Sequence, residues 1–349
     1  MKIIINGRFL SQSPSGVQNY AMGIAQALQA SMPDVEIVCP PLLHNLHNLK
    51  TKTIGSGTGF VWEQWHLARY MRKQKNAILI NLCNAAPLFV DHQIVTIHDL
   101  AFEQRHVHWF TFAFRWWYRF LIPRLAKKAK LIVTVSHFSQ KELMTHYGCH
   151  ESKIKIIPNG LPVIRFATPP LIEGHYLLLT AANNPRKNAA WVIGQLETIN
   201  RNGYKLVVLG SSASVFGKVN LKTHASISFF ENVDTAVYHS LIKNASALIF
   251  PSLYEGFGIP ILESIVIGTP VIASHLDVFR ESFQQVPIYF ELQNQNSFEN
   301  ALKELKNKKI EQKDIDSLQN KFNFEVSNQL LTGYLNELIN ENSISTRLV

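Results

Sequence analysis

Short β-branched and leucine-rich runs alternate with helix-length segments along the whole chain. In the first half, Lys2–Ile5, Glu36–Cys39, Ala77–Leu82, Ile94–Ile97, Leu131–Val135 and Lys155–Ile157 predict strands. In the second half, Tyr176–Thr180, Lys205–Leu209, Ser226–Phe230, Ala247–Phe250 and Pro270–Ala273 do the same. Several of these runs are continuously apolar rather than alternating, the pattern of parallel strands covered on both faces. Strand–helix alternation that runs its course twice predicts a pair of doubly wound α/β domains. The break falls near Leu161–Gly174, where Pro162, Pro169, Pro170 and Gly174 interrupt any periodicity. Such sheets bind ligands beyond the carboxyl ends of their strands, so a cleft between the domains is the expected site. From Phe322 to Asn340, Val326, Leu330, Leu331, Tyr334, Leu335 and Leu338 recur at helical spacing. Before that tail, Lys303–Asp316 reads as one charge-rich helical stretch, and its Asp314-Ile315-Asp316 as solvated helix surface rather than a metal site.

Composition narrows the class. The chain has 349 residues, 46% of them hydrophobic, enough for two cores and too apolar for a disordered chain. No run approaches the ~20 apolar residues of a membrane span, and the first residues read as a buried strand, not a signal peptide. Cys39, Cys83 and Cys149 are odd in number and widely spaced, which argues against a disulfide framework or zinc site and for a reducing compartment. The expectation is a soluble, cytoplasmic protein. Residues 1–168 hold 19 Lys and Arg against 8 Asp and Glu, or +11, whereas residues 169–349 hold 15 against 17, or −2. A basic half of this kind faces a polyanion.

The chemistry concentrates in Phe250-Pro251-Ser252-Leu253-Tyr254-Glu255-Gly256-Phe257-Gly258-Ile259-Pro260-Ile261-Leu262-Glu263. A strand ends at Phe250, a Gly-rich loop follows, and Pro260 opens a helix that Gly268 ends. The backbone N–H groups of Gly256–Ile259 would then form an anion site at a helix N-terminus. Glu255 and Glu263 could both face a ligand that carries hydroxyls beside a phosphate.

This Glu-x7-Glu block resembles the signature of family 4 retaining glycosyltransferases, which have the GT-B fold. The resemblance runs through nearly the whole chain: Ser15-Gly16-Val17 after the first strand, Thr96-Ile97-His98-Asp99, Ser136-His137-Phe138-Ser139, Pro158-Asn159-Gly160, and Pro185-Arg186-Lys187-Asn188. Phe322-Asn323-Phe324 stands where members often have F-x-W, so the Trp is replaced, which bears on packing more than on chemistry. The fold it implies has two Rossmann-like doubly wound domains facing across a cleft. The domains are an acceptor-binding one over 1–168, a nucleotide-sugar-binding one over 169–325, and a final helix and tail over 326–349 that crosses back to the first.

The resemblance also implies roles. Glu263 holds the ribose hydroxyls of a nucleotide-sugar donor, Glu255 the hydroxyls of the transferred sugar beside the Gly256, Phe257, Gly258 and Ile259 amides, and Arg186 or Lys187 the diphosphate. Lys187 is the firmer match. Gly16 lets the backbone approach the donor phosphates. His98 contacts the donor sugar rather than acting as nucleophile, while Asp99 either orients His98 or accepts from acceptor hydroxyls. His98, Glu255 and Lys187 are the expected catalytic residues. Helix-terminal amides and basic side chains can neutralise the leaving group without a metal or other cofactor, and no second carboxylate is placed as a nucleophile against the sugar, so front-face transfer with retention is expected.

Between Phe102 and Lys130 lie nine aromatic and seven basic residues, which reads as an interfacial segment on an anionic membrane. A lipid-linked saccharide acceptor accounts for both features, and no nucleic-acid-binding motif is present. Phe60-Val61-Trp62-Glu63-Gln64 and Asn84-Ala85-Ala86-Pro87-Leu88 resemble O-antigen and capsule transferases. GDP-mannose is the expected donor, with a UDP-sugar as the alternative. A dinucleotide oxidoreductase would need GxGxxG after the first strand, and Gly7, Gly16 and Gly23 have the wrong spacing. A non-enzymatic membrane-surface scaffold on this fold is disfavoured because Glu255, Glu263, His98 and Lys187 are all present.

Overall fold

The computed structural model describes the chain except residues 14, 42–48, 105–108, 169–171, 181–183, 211–225 and 348–349, and the side chains of 341–347. It divides into two compact units, Met1–Gly160 with Phe322–Val349, and Leu161–Lys321.

The first unit is built on a seven-stranded sheet of order β3-β2-β1-β4-β5-β6-β7. Its strands are β1 (Lys2–Asn6), β2 (Glu36–Cys39), β3 (Thr51–Thr53), β4 (Ala77–Asn81), β5 (Gln93–Thr96), β6 (Leu131–Thr134) and β7 (Ile154–Ile156). The second has six strands of order β10-β9-β8-β11-β12-β13. These are β8 (Tyr176–Leu179), β9 (Lys205–Leu209), β10 (Ile227–Phe230), β11 (Ala247–Phe250), β12 (Val271–Ser274) and β13 (Ile288–Phe290). Every pairing is parallel, with Ile4 opposite Leu79 in one sheet and Leu248 between Leu178 and Val271 in the other. The order reverses between β1 and β4 and again between β8 and β11, the places where such sheets bind ligands.

The continuous apolar runs are buried on both faces, as their composition requires. Ile97, Leu121, Leu125, Ile132 and Leu143 share one core cluster of the first unit. Leu179, Val192, Val208, Ile249, Phe290 and Phe298 share the core of the second. Two edge strands escape the hydrophobic pattern. Thr51–Thr53 is mostly exposed and has no apolar run, and Ile288–Phe290 has only three residues after Pro287.

The units part at 160/161 and 321/322 rather than at 168/169 and 325/326. Side-chain partners explain the first shift. Arg165 N donates to His239 Nδ1 and Ala167 N to Ser240 Oγ, which fastens 161–168 to the second unit. Phe324 explains the other, because its ring lies against Gly23 and Gly160 of the first. Lys303–Asp316 is not one helix but the end of Gln295–Leu305 and the start of Gln312–Lys321. Leu305 is the last buried apolar residue before Lys306, Asn307, Lys308 and Lys309, which have no apolar face to bury. Asp314 and Asp316 lie in the second of these helices, where Asp316 accepts a hydrogen bond from Gln312 Nε2.

Candidate active site

In the second unit the site begins where β11 ends. Ser274 Oγ donates to Ser252 O and pins the start of the loop, while Leu253 N donates to Arg186 O and ties it to the neighbouring basic turn. The chain then enters the helix Ile259–Ile267 through Gly258, whose φ of 117° a side chain rarely adopts. A Cβ there would also meet Phe279 at 3.0 Å, so the rings behind the loop dictate glycine. Pro260 gives up an amide that has no intrahelical acceptor in any case. The other first-turn amides present positive partial charge at this helix entrance.

The basic turn is equally local in origin. Asn184 Oδ1 accepts from Arg186 N, Pro185 starts the 3-10 turn, and Asn188 takes the left-handed conformation at its end. Asn tolerates that conformation better than most residues. Lys187 is thereby delivered to Glu255, Nζ to Oε1 2.5 Å, and Arg186 lies 3.8 Å from Oε2. Lys187 Nζ also sits 4.4 Å above the Phe250 ring. Burial would raise the Glu255 carboxyl, but the Lys187 and Arg186 charges outweigh it and hold the group below its ordinary value. Glu255 is a buried, ionised carboxylate clamped by two cations. Asn183, read from the sequence as part of this turn, is outside the described residues.

Glu263, one turn into the helix, is also buried. Tyr238 Oη donates to its Oε2 at 2.8 Å, and His239 Nε2 lies 3.4 Å from Oε1. Neither partner belongs to the motifs read from sequence. Their signal was a polar pair on the helix Thr235–Asn244, on the face that buries Leu241 and Ile242.

His98, Asp99 and Gly16 belong to the first unit. His98 follows β5, as predicted, and is buried with its ring edge-on to Tyr20 at 4.8 Å. Its Nε2 donates to Leu82 O at 3.0 Å, so Nδ1 keeps a lone pair in the neutral ring. Burial lowers its basicity more than the Leu82 carbonyl and Asp99 raise it, which keeps the ring neutral. Asn84 Oδ1 accepts from His98 N, and Ser139 Oγ donates to His98 O. Ser136 in turn caps the helix His137–Tyr147 by accepting from Ser139 N. The Ser-x-x-Ser block is thus the brace of the His98 turn. Asp99 Oδ1 accepts from Ala101 N, and Gly16 opens the helix Gly16–Ser31 at an exposed position.

Phe60–Gln64 also acquires a physical account. Trp62 fills the core, and Gln64 bridges Ala86 O and Leu88 N. Glu63 is fully buried, 3.2 Å from Arg8 and bonded to Asn6, beside the β1/β4 reversal. Burial pushes its carboxyl up despite Arg8. Nothing in the sequence marks a role for Arg8 or Glu63.

The profile of Glycosyltransferase Family 4 matches residues 14–165, and that of Glycosyl transferases group 1 matches 165–321. Together the two profiles span residues 14–321, and the chain is a glycosyltransferase of the family 4 type. It is 24% identical to the O-antigen chain mannosyltransferase RfbU of Salmonella typhimurium over 326 residues, 87% of this chain and 90% of that one. Among solved structures, HepE of Anabaena with UDP and glucose aligns with a TM-score of 0.72 at 13% identity, over 96% and 99% of the two chains. WaaG, a glycosyltransferase involved in lipopolysaccharide biosynthesis, aligns with a TM-score of 0.64 at 16% identity, over 94% of each. The fold of this glycosyltransferase is GT-B.

The predicted membrane stretch is divided. In the helix Phe112–Lys128, Tyr118, Leu121, Ile122, Leu125 and Ala126 are core, whereas Phe112 and Trp116 are 84% and 60% exposed. Arg119 is paired with Glu103, and Arg105 is outside the described residues. Among the described residues no helix is long and apolar enough to cross a membrane, and no group of three or more His, Cys, Asp or Glu could hold a metal.

Proposed function

We propose that this glycosyltransferase moves mannose from GDP-mannose, with retention and without a metal, to a lipid-linked saccharide in O-antigen, lipopolysaccharide or capsule synthesis. The clamp of Lys187 and Arg186 on Glu255, at the mouth of the helix Ile259–Ile267, carries the donor reading. It puts a carboxylate that accepts hydroxyls beside cations and amides that accept phosphate. Likeness to RfbU, a mannosyltransferase of O-antigen chains, supports the sugar and the acceptor class.

In this scheme the donor diphosphate replaces part of the charge that Glu255 offers Lys187. Arg186, Lys187 and the Gly256–Ile259 amides stabilise the negative charge that grows on the leaving phosphate oxygen. The bond from the anomeric carbon to that oxygen breaks, and the acceptor oxygen bonds on the same face. The acceptor proton passes to the departing phosphate. Glu255 orients the sugar, Glu263 holds the ribose diol, and His98, neutral, contributes a hydrogen-bonding group from the first unit together with Asp99. Gly16 leaves the backbone open to phosphate. Work would take place at the inner face of the cytoplasmic membrane, held there by Phe112, Trp116 and the basic residues after them.

A UDP-sugar donor is the second reading, favoured by HepE, whose structure holds UDP and glucose. Purified protein, membrane acceptor and either GDP-mannose or UDP-glucose separate the two. Release of GDP, an α-linked product and full activity in EDTA are expected. Release of UDP alone selects the second reading; an inverted anomer or loss of activity in EDTA overturns the mechanism.

A further inference from the structure

Glu263 does not stand alone. Both its carboxylate oxygens already have a partner from the helix Thr235–Asn244: Tyr238 Oη on Oε2 at 2.8 Å and His239 Nε2 on Oε1 at 3.4 Å. Each oxygen offers about two acceptor directions, so one remains on each. The two that remain are fixed in direction, as two adjacent ribose hydroxyls require.

Both partners are held as donors. The Tyr238 phenol is pushed well up by burial and by the Glu263 charge, so it keeps its proton. His239 is fully buried, and on its far side Nδ1 lies 3.2 Å from both the N and the O of Arg165. Nε2 faces a carboxylate oxygen, which only accepts, so the Nε2 proton points at Glu263 and Nδ1 is left to the Arg165 backbone. Arg165 sits in the segment that opens the second unit, and Ser240 fastens the same segment by bonding Ala167 N and O.

We infer that Tyr238 and His239 are positioning residues for the donor nucleotide. They aim the free lone pairs of Glu263 at the ribose diol, and His239 does so from a ring anchored at Nδ1 by the Arg165 backbone. The inference rests on the reading of Glu263 as the ribose-binding carboxylate.

The test is a binding cycle on the full chain with a nucleoside diphosphate, GDP or UDP, whichever binds more tightly, and its 2′,3′-dideoxy counterpart. Calorimetry on wild type, Tyr238→Phe, His239→Leu and His239→Gln reads the preference for ribose. Wild type is expected to favour the ribonucleotide by about tenfold or more, the scale of a hydrogen bond to a charged group. Tyr238→Phe and His239→Leu are expected to lose most of that preference while their affinity for the dideoxy form stays within about twofold. His239→Gln, which keeps an N–H donor, is expected to recover part of it. A wild type that does not distinguish the two ligands overturns the ribose reading of Glu263 itself. A wild-type preference that survives in both Tyr238→Phe and His239→Leu overturns this inference alone. Variants that weaken both ligands equally make the pair merely structural, and overturn it too.

Discussion

Lys187 and Arg186 serve the free protein as well as the proposed reaction, because without them Glu255 would be a buried charge with no counter-ion. Breaking a buried pair by removing one partner costs about 3–5 kcal/mol. Lys187→Met, which leaves Arg186 in place, is expected near the lower end, about 3 kcal/mol, by urea denaturation at pH 7. The sign with pH follows from the lowered Glu255 carboxyl. Its contribution is present above the ordinary carboxylate value and is lost as pH falls through the depressed one. The gap between wild type and Lys187→Met should therefore narrow below pH 4.5, the ordinary value. A gap that widens on acidification would contradict the assignment. His98 gives a second slope. Its folded basicity is lowered from 6.5, so the unfolded chain binds the extra proton as pH drops below that value. Wild type should lose stability from pH 6.5 toward 5 relative to His98→Gln, whose own melting curve lacks this contribution. Single residues were also where the sequence was least legible. The two glutamates and the basic turn stand out as a motif, but Tyr238, His239, Arg8 and Glu63 look like ordinary polar residues until folding buries them beside a partner.

Helices and loops show why certain small residues are needed. Gly160, the last residue of Pro158-Asn159-Gly160, has no room for a Cβ: one would lie 2.5 Å from the Phe324 ring and 2.6 Å from Phe324 N. Gly23 on the helix Gly16–Ser31 would meet the same ring at 2.3 Å. Phe324 therefore replaces the expected Trp without leaving a void, and the last helix Phe324–Arg347 docks on the first unit through it. Ser327 Oγ adds a hydrogen bond to Pro158 O. Overpacking of a filled site costs about 1–3 kcal/mol. Gly160→Ala is expected to lower stability by that amount in a thermal melt, and Gly23→Ala in a Phe324→Leu background to cost less than Gly23→Ala alone. Equal costs in both backgrounds would mean that the ring is not the obstacle. The helix Phe112–Lys128 makes the opposite case, since its outer rings contribute little to the core. Phe112→Ser with Trp116→Ser should leave the melting temperature within about 1–2 °C. The same pair should reduce sedimentation with anionic liposomes at low salt, and sedimentation that is unchanged would remove the helix from the membrane reading. The strands were predictable because continuous apolar runs have few other uses. The edge strands Thr51–Thr53 and Ile288–Phe290 were not, because pairing at an edge needs only backbone.

Across the whole molecule, two sheets of the same handed construction carry unequal chemistry, and charge follows that division. Residues 1–168 carry +11 and 169–349 carry −2, yet the cations proposed to meet the donor, Arg186 and Lys187, lie in the near-neutral part. Their charge is local, set against Glu255, rather than part of a general basic field. The surplus of the first part is what the proposed anionic membrane surface and lipid-linked acceptor would meet. Repeated strand–helix alternation makes the two-domain plan legible from sequence alone, whereas the points of division are set by tertiary hydrogen bonds from His239 and Ser240 and by one aromatic ring. If donor recognition resides in the second unit, nucleotide binding should stabilise that unit by RT ln(1 + [L]/Kd), about 2.7 kcal/mol at a ligand concentration 100 times Kd. Hydrogen exchange on the full chain reads this by segment. With saturating GDP or UDP, amides of Lys187, Leu253 and the loop and helix from Gly256 to Ile267 should exchange more slowly. Amides of β1, β4 and β5 should change little, because the proposed ribose and diphosphate contacts, apart from Gly16 at the start of the helix Gly16–Ser31, are in residues 161–321. Strong protection confined to β1, β4 and β5 would move the nucleotide to the β1/β4 reversal, where Arg8 and Glu63 lie, and would reassign donor and acceptor between the two sheets.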